Sequence, residues 1–314
     1  MILQMKMMKI LIAYDGSSCA DAALDDLRRA GLPSEAEAVV LSVADVWMPP
    51  TSSSRERVVE TAFAERVAAA REKTRTQAVQ AVEDARALAV HASERVQAFF
   101  PAWDVRAEAC ADSPAWAVIK KADEWQPDLV VVGSHGHTAL SRLLLGSVSH
   151  KVVTEARCTV RVARGGVADT TAPVRIIIGV DGSPDADTAV RTVAERVWPP
   201  GSEARVIAVL DQALATAVRW DTESDADVQV GACRIVEAAE KTVRAAGLAV
   251  SSIVKEGDPK RVLVEEAEHW GADCIFIGAR GLRRLERFLL GSVSTAVAVH
   301  AHCSVEVVRP RPTL

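Results

Sequence analysis

The sequence predicts an α/β protein of two tandem, doubly wound units, each a five-stranded, mostly parallel sheet flanked by helices. Three observations predict this. First, the chain repeats itself. Lys9-Ile-Leu-Ile-Ala-Tyr-Asp15-Gly-Ser recurs as Arg175-Ile-Ile-Ile-Gly-Val-Asp181-Gly-Ser at an offset of 166, and Asp128 to Ala163 recurs as Asp273 to Val308 at an offset of 145, with 16 of 36 positions identical. A repeat of this size sets the architecture before any single element is assigned. Second, short apolar runs of β-branched residues alternate with longer stretches whose apolar residues recur at helical spacing. That order feeds a parallel sheet through right-handed crossovers and places ligands at the carboxyl ends of the strands. Third, 314 residues suit two domains at roughly 100 to 200 residues each.

In chain order, the first unit gives strands near Lys9 to Tyr14, Val39 to Val43, Val105 to Glu108, Leu129 to Val132 and Thr159 to Ala163. The first and fourth are nearly continuous apolar runs, as expected of strands covered on both faces. Helices are expected near Ser18 to Ala30, inside Glu56 to Phe99, from Pro114 to Trp125 and from Ser147 to Glu155. The second unit follows the same order from Val174 to Val308. Because the offset falls from 166 to 145, the first copy carries about 21 extra residues between Val43 and Val105. These are expected to lengthen the helix after the second strand, since Arg55 to Val96 holds neither Gly nor Pro and is rich in strong helix formers. Its apolar set, including Val58, Val59, Ala62, Phe63 and Val67, reads as a packed helix face. Gly165 to Pro173 is small, polar and Gly/Pro-flanked, as an interdomain connection is. The domains are accordingly placed at 1–165 and 172–314.

Composition narrows the function classes. With 37 Lys+Arg against 42 Asp+Glu the formal charge is −5, and no long basic run argues for nucleic acid or an anionic membrane surface. The six cysteines are scattered, without a C-x-x-C pair or zinc spacing, and read as reduced thiols that fill core positions. No apolar run has the length of a membrane span, and the N-terminus lacks a signal-peptide pattern, so a cytoplasmic protein is expected.

The chemistry concentrates in a glycine constellation. Gly133-Ser-His-Gly136 follows the fourth strand, and nine residues later comes Gly146-Ser147-Val148-Ser149. The second unit has Gly278-Ala-Arg-Gly281 and, again nine residues on, Gly291-Ser292-Val293-Ser294. A strand-end glycine permits a sharp turn with positive φ and close approach of a ligand to the main chain. A Gly-Ser that opens a helix offers free N–H groups, the helix dipole and a hydroxyl to an anion, of which phosphate is the usual one. Taken singly, such glycines commonly do no more than end strands and cap helices. Their identical spacing in two drifted copies argues for more. No two glycines are separated by one residue, so the G-x-G-x-x-G dinucleotide fingerprint is absent, as is a P-loop.

The pattern G-x-x-G, nine residues, G-S, with D-G-S after the first strand, resembles the universal stress protein family in both halves. The resemblance implies an adenine nucleotide alpha hydrolase-like fold and an adenine nucleotide, ATP or else ADP or AMP, bound with Mg²⁺. Carried over residue by residue, it places Ala13, Tyr14 and Asp15, or Gly179, Val180 and Asp181, at the nucleoside, where a carboxylate suits ribose hydroxyls. It places the backbone of Val43 and Val209 at the adenine edge. The phosphates would meet Gly133, His135, Gly136, Gly146, Ser147, Val148 and Ser149, or Gly278, Arg280, Gly281, Gly291, Ser292, Val293 and Ser294. Arg280 can bind phosphate through two N–H groups, whereas His135 is only partly protonated near neutral pH, so unequal sites are expected. A solvated loop residue is the plain alternative for each. D-G-S is likewise an ordinary turn and N-cap sequence.

Neither a zinc-protease motif nor a Ser/His/Asp arrangement with an oxyanion loop is present. His135, His137 and Ser147 allow slow ATP hydrolysis or autophosphorylation without requiring it. The expected function is a nucleotide-dependent regulator in stress response, with a slow ATPase and a nucleotide-free scaffold as the alternatives. The family's last strand pairs antiparallel with a partner's copy, so the two halves are expected to pair with each other, with a homodimer of chains also plausible. Arg161 and Glu306 are equivalent positions on those strands, and opposite charges across the pair favour it by about 0.2 to 1 kcal/mol. On that reading a charge swap at both positions is tolerated. Cys158 and Cys303, equivalent positions just before these strands, are expected to be buried structural thiols.

Overall fold

The computed structural model describes residues 7–46, 62–136, 145–165, 171–211, 225–281 and 290–310, with side chains from 69 and 228 onward in the two longest helices. The first half runs β1 (Met8–Ala13), α1 (Ser18–Leu27), β2 (Ala36–Ala44), α2 (Ala62–Phe99), β3 (Asp104–Ala111), α3 (Pro114–Trp125), β4 (Leu129–Gly133), α4 (Ser147–Glu155) and β5 (Thr159–Ala163). The second runs β6 (Arg175–Val180), α5 (Pro184–Glu195), β7 (Glu203–Leu210), α6 (Asp225–Ala245), β8 (Ala249–Glu256), α7 (Pro259–Trp270), β9 (Cys274–Gly278), α8 (Ser292–His300) and β10 (Ser304–Val308).

The first helix of each half starts in the same way. Ser17 and Ser183 are the N-caps of α1 and α5, each accepting from the amide three residues on. Helix α1 stops at Leu27 rather than Ala30, because Arg28 to Ala30 close a tighter turn that ends at Gly31 with φ +65°. Strands β2 and β3 run up to three residues further than the apolar pattern suggests, since their ends continue to pair with each other along the sheet. The extra residues of the first copy do enter the helix after β2: α2 has 38 residues where α6 has 21. Its buried stripe is Ala78, Ala85, Ala89, Ala92 and Val96. The side chains of Val58, Val59, Ala62, Phe63 and Val67 lie outside the described residues, as do 166–170 of the interdomain connection.

The ten strands form one sheet in the order β3-β2-β1-β4-β5-β10-β9-β6-β7-β8. Each half is parallel throughout, and β5 and β10 join the halves antiparallel. Because side chains alternate along a strand, β1 sends Ile10 and Ile12 into a core under α1 and α2 and sends Leu11 to the opposite face. On that opposite face one apolar core runs unbroken from Val39, Leu41 and Val118 of the first half to Ile207, Leu263 and Val297 of the second. The halves therefore share a sheet and the core on one of its faces, while each has its own core on the other.

Strand register puts Arg161 directly across from Glu306. Both are buried, and they belong to a larger network than the strand pair alone. Arg161 donates to both carboxylate oxygens of Asp26 on α1, at 2.6 and 3.0 Å, and to Glu306 at 3.2 Å. Arg196, just after α5, donates to both oxygens of Glu306 and to the Ala30 carbonyl, and Ser304 donates to Asp26. Burial disfavours the Arg161 charge, but Asp26 and Glu306 outweigh it and hold its pKa above the usual guanidinium value. This corrects the sequence reading in one respect. Exchanging Arg161 and Glu306 would face the new carboxylate with Asp26 and the new guanidinium with Arg196, so the double swap is expected to destabilise the protein.

Candidate functional site

In each half the strand order reverses between the first and fourth strands, which opens a crevice at their carboxyl ends. The glycine loops lie there. The Gly146 amide donates to Ser134, and the Gly291 amide to Ala279, so each helix-opening glycine is bonded to the residue after its strand-end glycine. Ser149 Oγ donates to the Gly133 carbonyl at 2.6 Å, and Ser294 Oγ to the Gly278 carbonyl at 2.7 Å. Both serines are buried and tie helix to strand, rather than facing a phosphate as expected. Ser147 and Ser292, by contrast, are exposed. Gly146 and Gly291 are the N-caps and carry no side chain, and among the described residues no side chain caps the amides of the first turns, at Ser147 to Ser149 and Ser292 to Ser294.

The glycines work differently from the expected strand-end turn. None of Gly133, Gly136, Gly146, Gly278, Gly281 or Gly291 has positive φ. Gly133 and Gly278 are required by packing. A Cβ at Gly133 would stand 2.8 Å from the Cys19 carbonyl oxygen, and one at Gly278 would stand 2.6 Å from the Ala186 nitrogen, so the first turns of α1 and α5 rest on bare main chain. A Cβ at Gly136 or Gly281 would meet Oδ2 of Asp15 or Asp181 at 2.7 Å. The aspartates, whose other oxygen accepts from the Ser17 or Ser183 amide, are thus held against the G-x-x-G loops. Asp15 is exposed and Asp181 half-buried.

The other expected nucleoside contacts divide by face. Ala13, Val43 and Val148, and in the second half Val209 and Val293, are half-buried beside the core that the two halves share. Gly179 borders Leu263 on the same side. Tyr14 and Val180 alternate to the opposite face and sink among α1 with α2, or α5 with α6, so only their main chain is turned toward the crevice. The Tyr14 hydroxyl donates to Asp21, and burial together with that carboxylate pushes its pKa up to about 12.

Neither cation candidate is as expected. His135 is buried, with Nδ1 3.0 Å from Ser134 Oγ and Nε2 without a partner among the described residues. Burial, with Arg164 adding to it, lowers its pKa and favours the neutral ring. It is not a solvated loop residue. Arg280 donates from Nε and Nη2 to the buried Asp185 at 3.1 and 3.4 Å, so its charge is already matched. Asp185 and Arg280 occupy the positions of Cys19 and His135 in the first half. The difference between the sites is therefore that the second holds an ion pair, Arg280 with Asp185, where the first has a buried histidine, which the loop motif alone did not reveal. His137 lies outside the described residues.

Away from the crevices, a pocket of about 180 Å³ lies between the halves, bordered by Asp26, Arg29, Arg161, Arg164, Asp273 and His302. Burial pushes the Cys158 thiol up to about 11 and Cys303 to about 12, so both stay protonated, as structural thiols do. Among the described residues no helix is long and apolar enough to cross a membrane.

Comparison with known proteins identifies the family and agrees with the fold. The model of the universal stress protein family matches twice, at residues 7–164 and 174–309. A universal stress protein of Mycobacterium tuberculosis is 31% identical over 211 residues, covering 65% of this chain and 69% of its own. One of Mycolicibacterium smegmatis is 31% identical over 189 residues, covering 58% and 62%. Among solved structures, a universal stress protein of Archaeoglobus fulgidus aligns over 96% of this chain and 98% of its own at a TM-score of 0.63 and 19% identity, a likeness of fold.

Proposed function

The chain belongs to the universal stress protein family as two domains in tandem, and from that premise we propose that it is a cytoplasmic regulator in stress response that binds adenine nucleotide, ATP foremost, at the strand ends of both halves. One observation carries the reading. In both halves a helix whose N-cap is glycine, with no side-chain cap among the described residues, opens beside a strand-end glycine loop, and a carboxylate is held against that loop. Uncapped helix amides suit a chain of phosphates. Asp15 and Asp181 offer acceptors for ribose hydroxyls, and the half-buried Ala13 and Val43, or the buried Gly179 with the half-buried Val209, leave an apolar strip for a base.

Residues present fit that ligand in type. Mg²⁺ would ride on the phosphates, since among the described residues no group of three or more His, Cys, Asp and Glu could hold a metal. Occupancy would alter the surface offered to a partner protein at these strand ends. Equilibrium titration of the full chain with MgATP tests the reading: saturable binding that phosphate-loop variants weaken is expected, and absence of binding at millimolar ATP would leave the scaffold reading in its place. Turnover to ADP in the same samples would instead identify a slow ATPase.

A further inference from the structure

Two arginines repeat one arrangement across the junction of the halves. Arg164, just past β5, crosses into the second half. There its amide donates to Ser304 Oγ at 3.0 Å, and its Nη2 donates to the carbonyls of Ala298 and Val299 at 2.5 and 3.3 Å. Those carbonyls end α8. Arg309, just past β10, crosses the other way. Its amide donates to Thr159 Oγ1 at 3.2 Å, its Nη2 to the Val153 carbonyl at 2.5 Å near the end of α4, and its Nη1 to the Cys158 carbonyl at 3.2 Å. The offset of 145 makes Arg164 equivalent to Arg309, Ala298 to Val153 and Ser304 to Thr159. The same contacts are therefore built twice, each time between halves.

Neither guanidinium has a carboxylate partner among the described residues. Each leaves one buried nitrogen without a partner among the described residues, Nη1 of Arg164 and Nε of Arg309. Burial lowers both pKa values to about 10, still well above neutral pH, so both remain charged. What faces these cations is the carbonyl end of a helix, whose orphan acceptors and negative dipole end suit a cation. The helices so capped are α4 and α8, the two whose amino ends form the phosphate side of the proposed sites. At their amino ends Ser149 and Ser294 tie them to their own strand. At their carboxyl ends the tie comes from the other half.

We infer that Arg164 and Arg309 are crossed positioning residues: each holds the phosphate-side helix of the opposite half, so that neither nucleotide site is complete without the other half of the chain. The claim about nucleotide rests on the proposed function; the claim about the helices does not.

Hydrogen exchange of the full chain, read by mass spectrometry, tests both. Without nucleotide, Arg309→Met speeds exchange at the end of α4, residues 152–156, fivefold or more and leaves residues 297–301 of α8 within twofold. Arg164→Met gives the reverse. With ATP and Mg²⁺, the concentration giving half-maximal protection of 146–149 rises tenfold or more in Arg309→Met, while that for 291–294 stays within twofold, and again Arg164→Met exchanges the two. If a Met variant does not fold, the corresponding Arg→Lys variant is read in the same way. Equal loss in both helices, or loss confined to the variant's own half, overturns the inference. Absence of ATP protection in the parent chain overturns the nucleotide reading, and the nucleotide-free pattern still decides the crossed caps.

Discussion

Reversing Arg161 tests how the halves are joined. The substitution R161E removes three charge-assisted hydrogen bonds, two to Asp26 and one to Glu306, and leaves three carboxylates sharing Arg196 inside the protein. Arg161 is 1% exposed and Glu306 fully buried, so solvent cannot screen the mismatch. Breaking a buried pair from one side costs about 3–5 kcal/mol. For a unit of this size that lowers Tm by roughly 10 °C. E306R, which sets two guanidiniums and Arg196 against Asp26 alone, is expected to cost as much. The double variant R161E/E306R is the decisive arm. It restores opposite charges across the strand pair, yet it opposes Asp26 with a carboxylate and Arg196 with a guanidinium. It should be no more stable than either single variant in urea or thermal unfolding followed by circular dichroism. Recovery of the double variant to within about 1 kcal/mol of the parent chain would show that the strand pair acts alone and refute the four-residue account.

Other expectations follow from single contacts. Gly133→Ala forces a Cβ against the Cys19 carbonyl, and main chain cannot give way cheaply, so unfolding should show a loss of about 1–3 kcal/mol. Gly136→Ala meets only the movable Asp15 carboxylate; stability should change by less than about 1 kcal/mol while MgATP binding to the first half weakens, by calorimetry. Tyr14 is the sole tyrosine, so tyrosinate absorbance reports it alone: no ionisation should appear as pH passes 10 to 11 in the folded chain, with stability falling above pH 10 because only the unfolded chain ionises there. His135 has a lowered pKa, so below its ordinary value near 6.5 the unfolded chain binds the extra proton and stability falls as pH drops; in unfolding curves against pH, His135→Gln should flatten that part of the profile.

The repeat made much of this legible. Two copies of one strand-and-loop pattern supplied the two doubly wound units, the long α2 and the equivalence of Arg161 and Glu306, while the pairing of β5 with β10 was implied by the family resemblance. What local pattern could not supply was the third dimension. Tyr14 adjoins Asp15 in sequence, yet period-two alternation sends its ring into the α1–α2 core. Gly133 reads as a turn, but its lack of a side chain is required by a helix start 114 residues away in sequence, at Cys19. Arg280 reads as a phosphate ligand until Asp185 is seen beneath it. Asp26 and Arg196 have no charged equivalents, Thr192 and Ala30 standing in their places, so comparison of the copies passed over them. The crossed arginines, by contrast, are present in both copies, and only the fold shows that they change halves.

The central claim is nucleotide binding at two sites, and calorimetric titration of the full-length chain with MgATP tests it most directly. The account predicts saturable binding approaching two nucleotides per chain, with the first half's share weakened by Gly136→Ala and the second's by Gly281→Ala. A folded chain that takes up no ATP at millimolar concentration would contradict it.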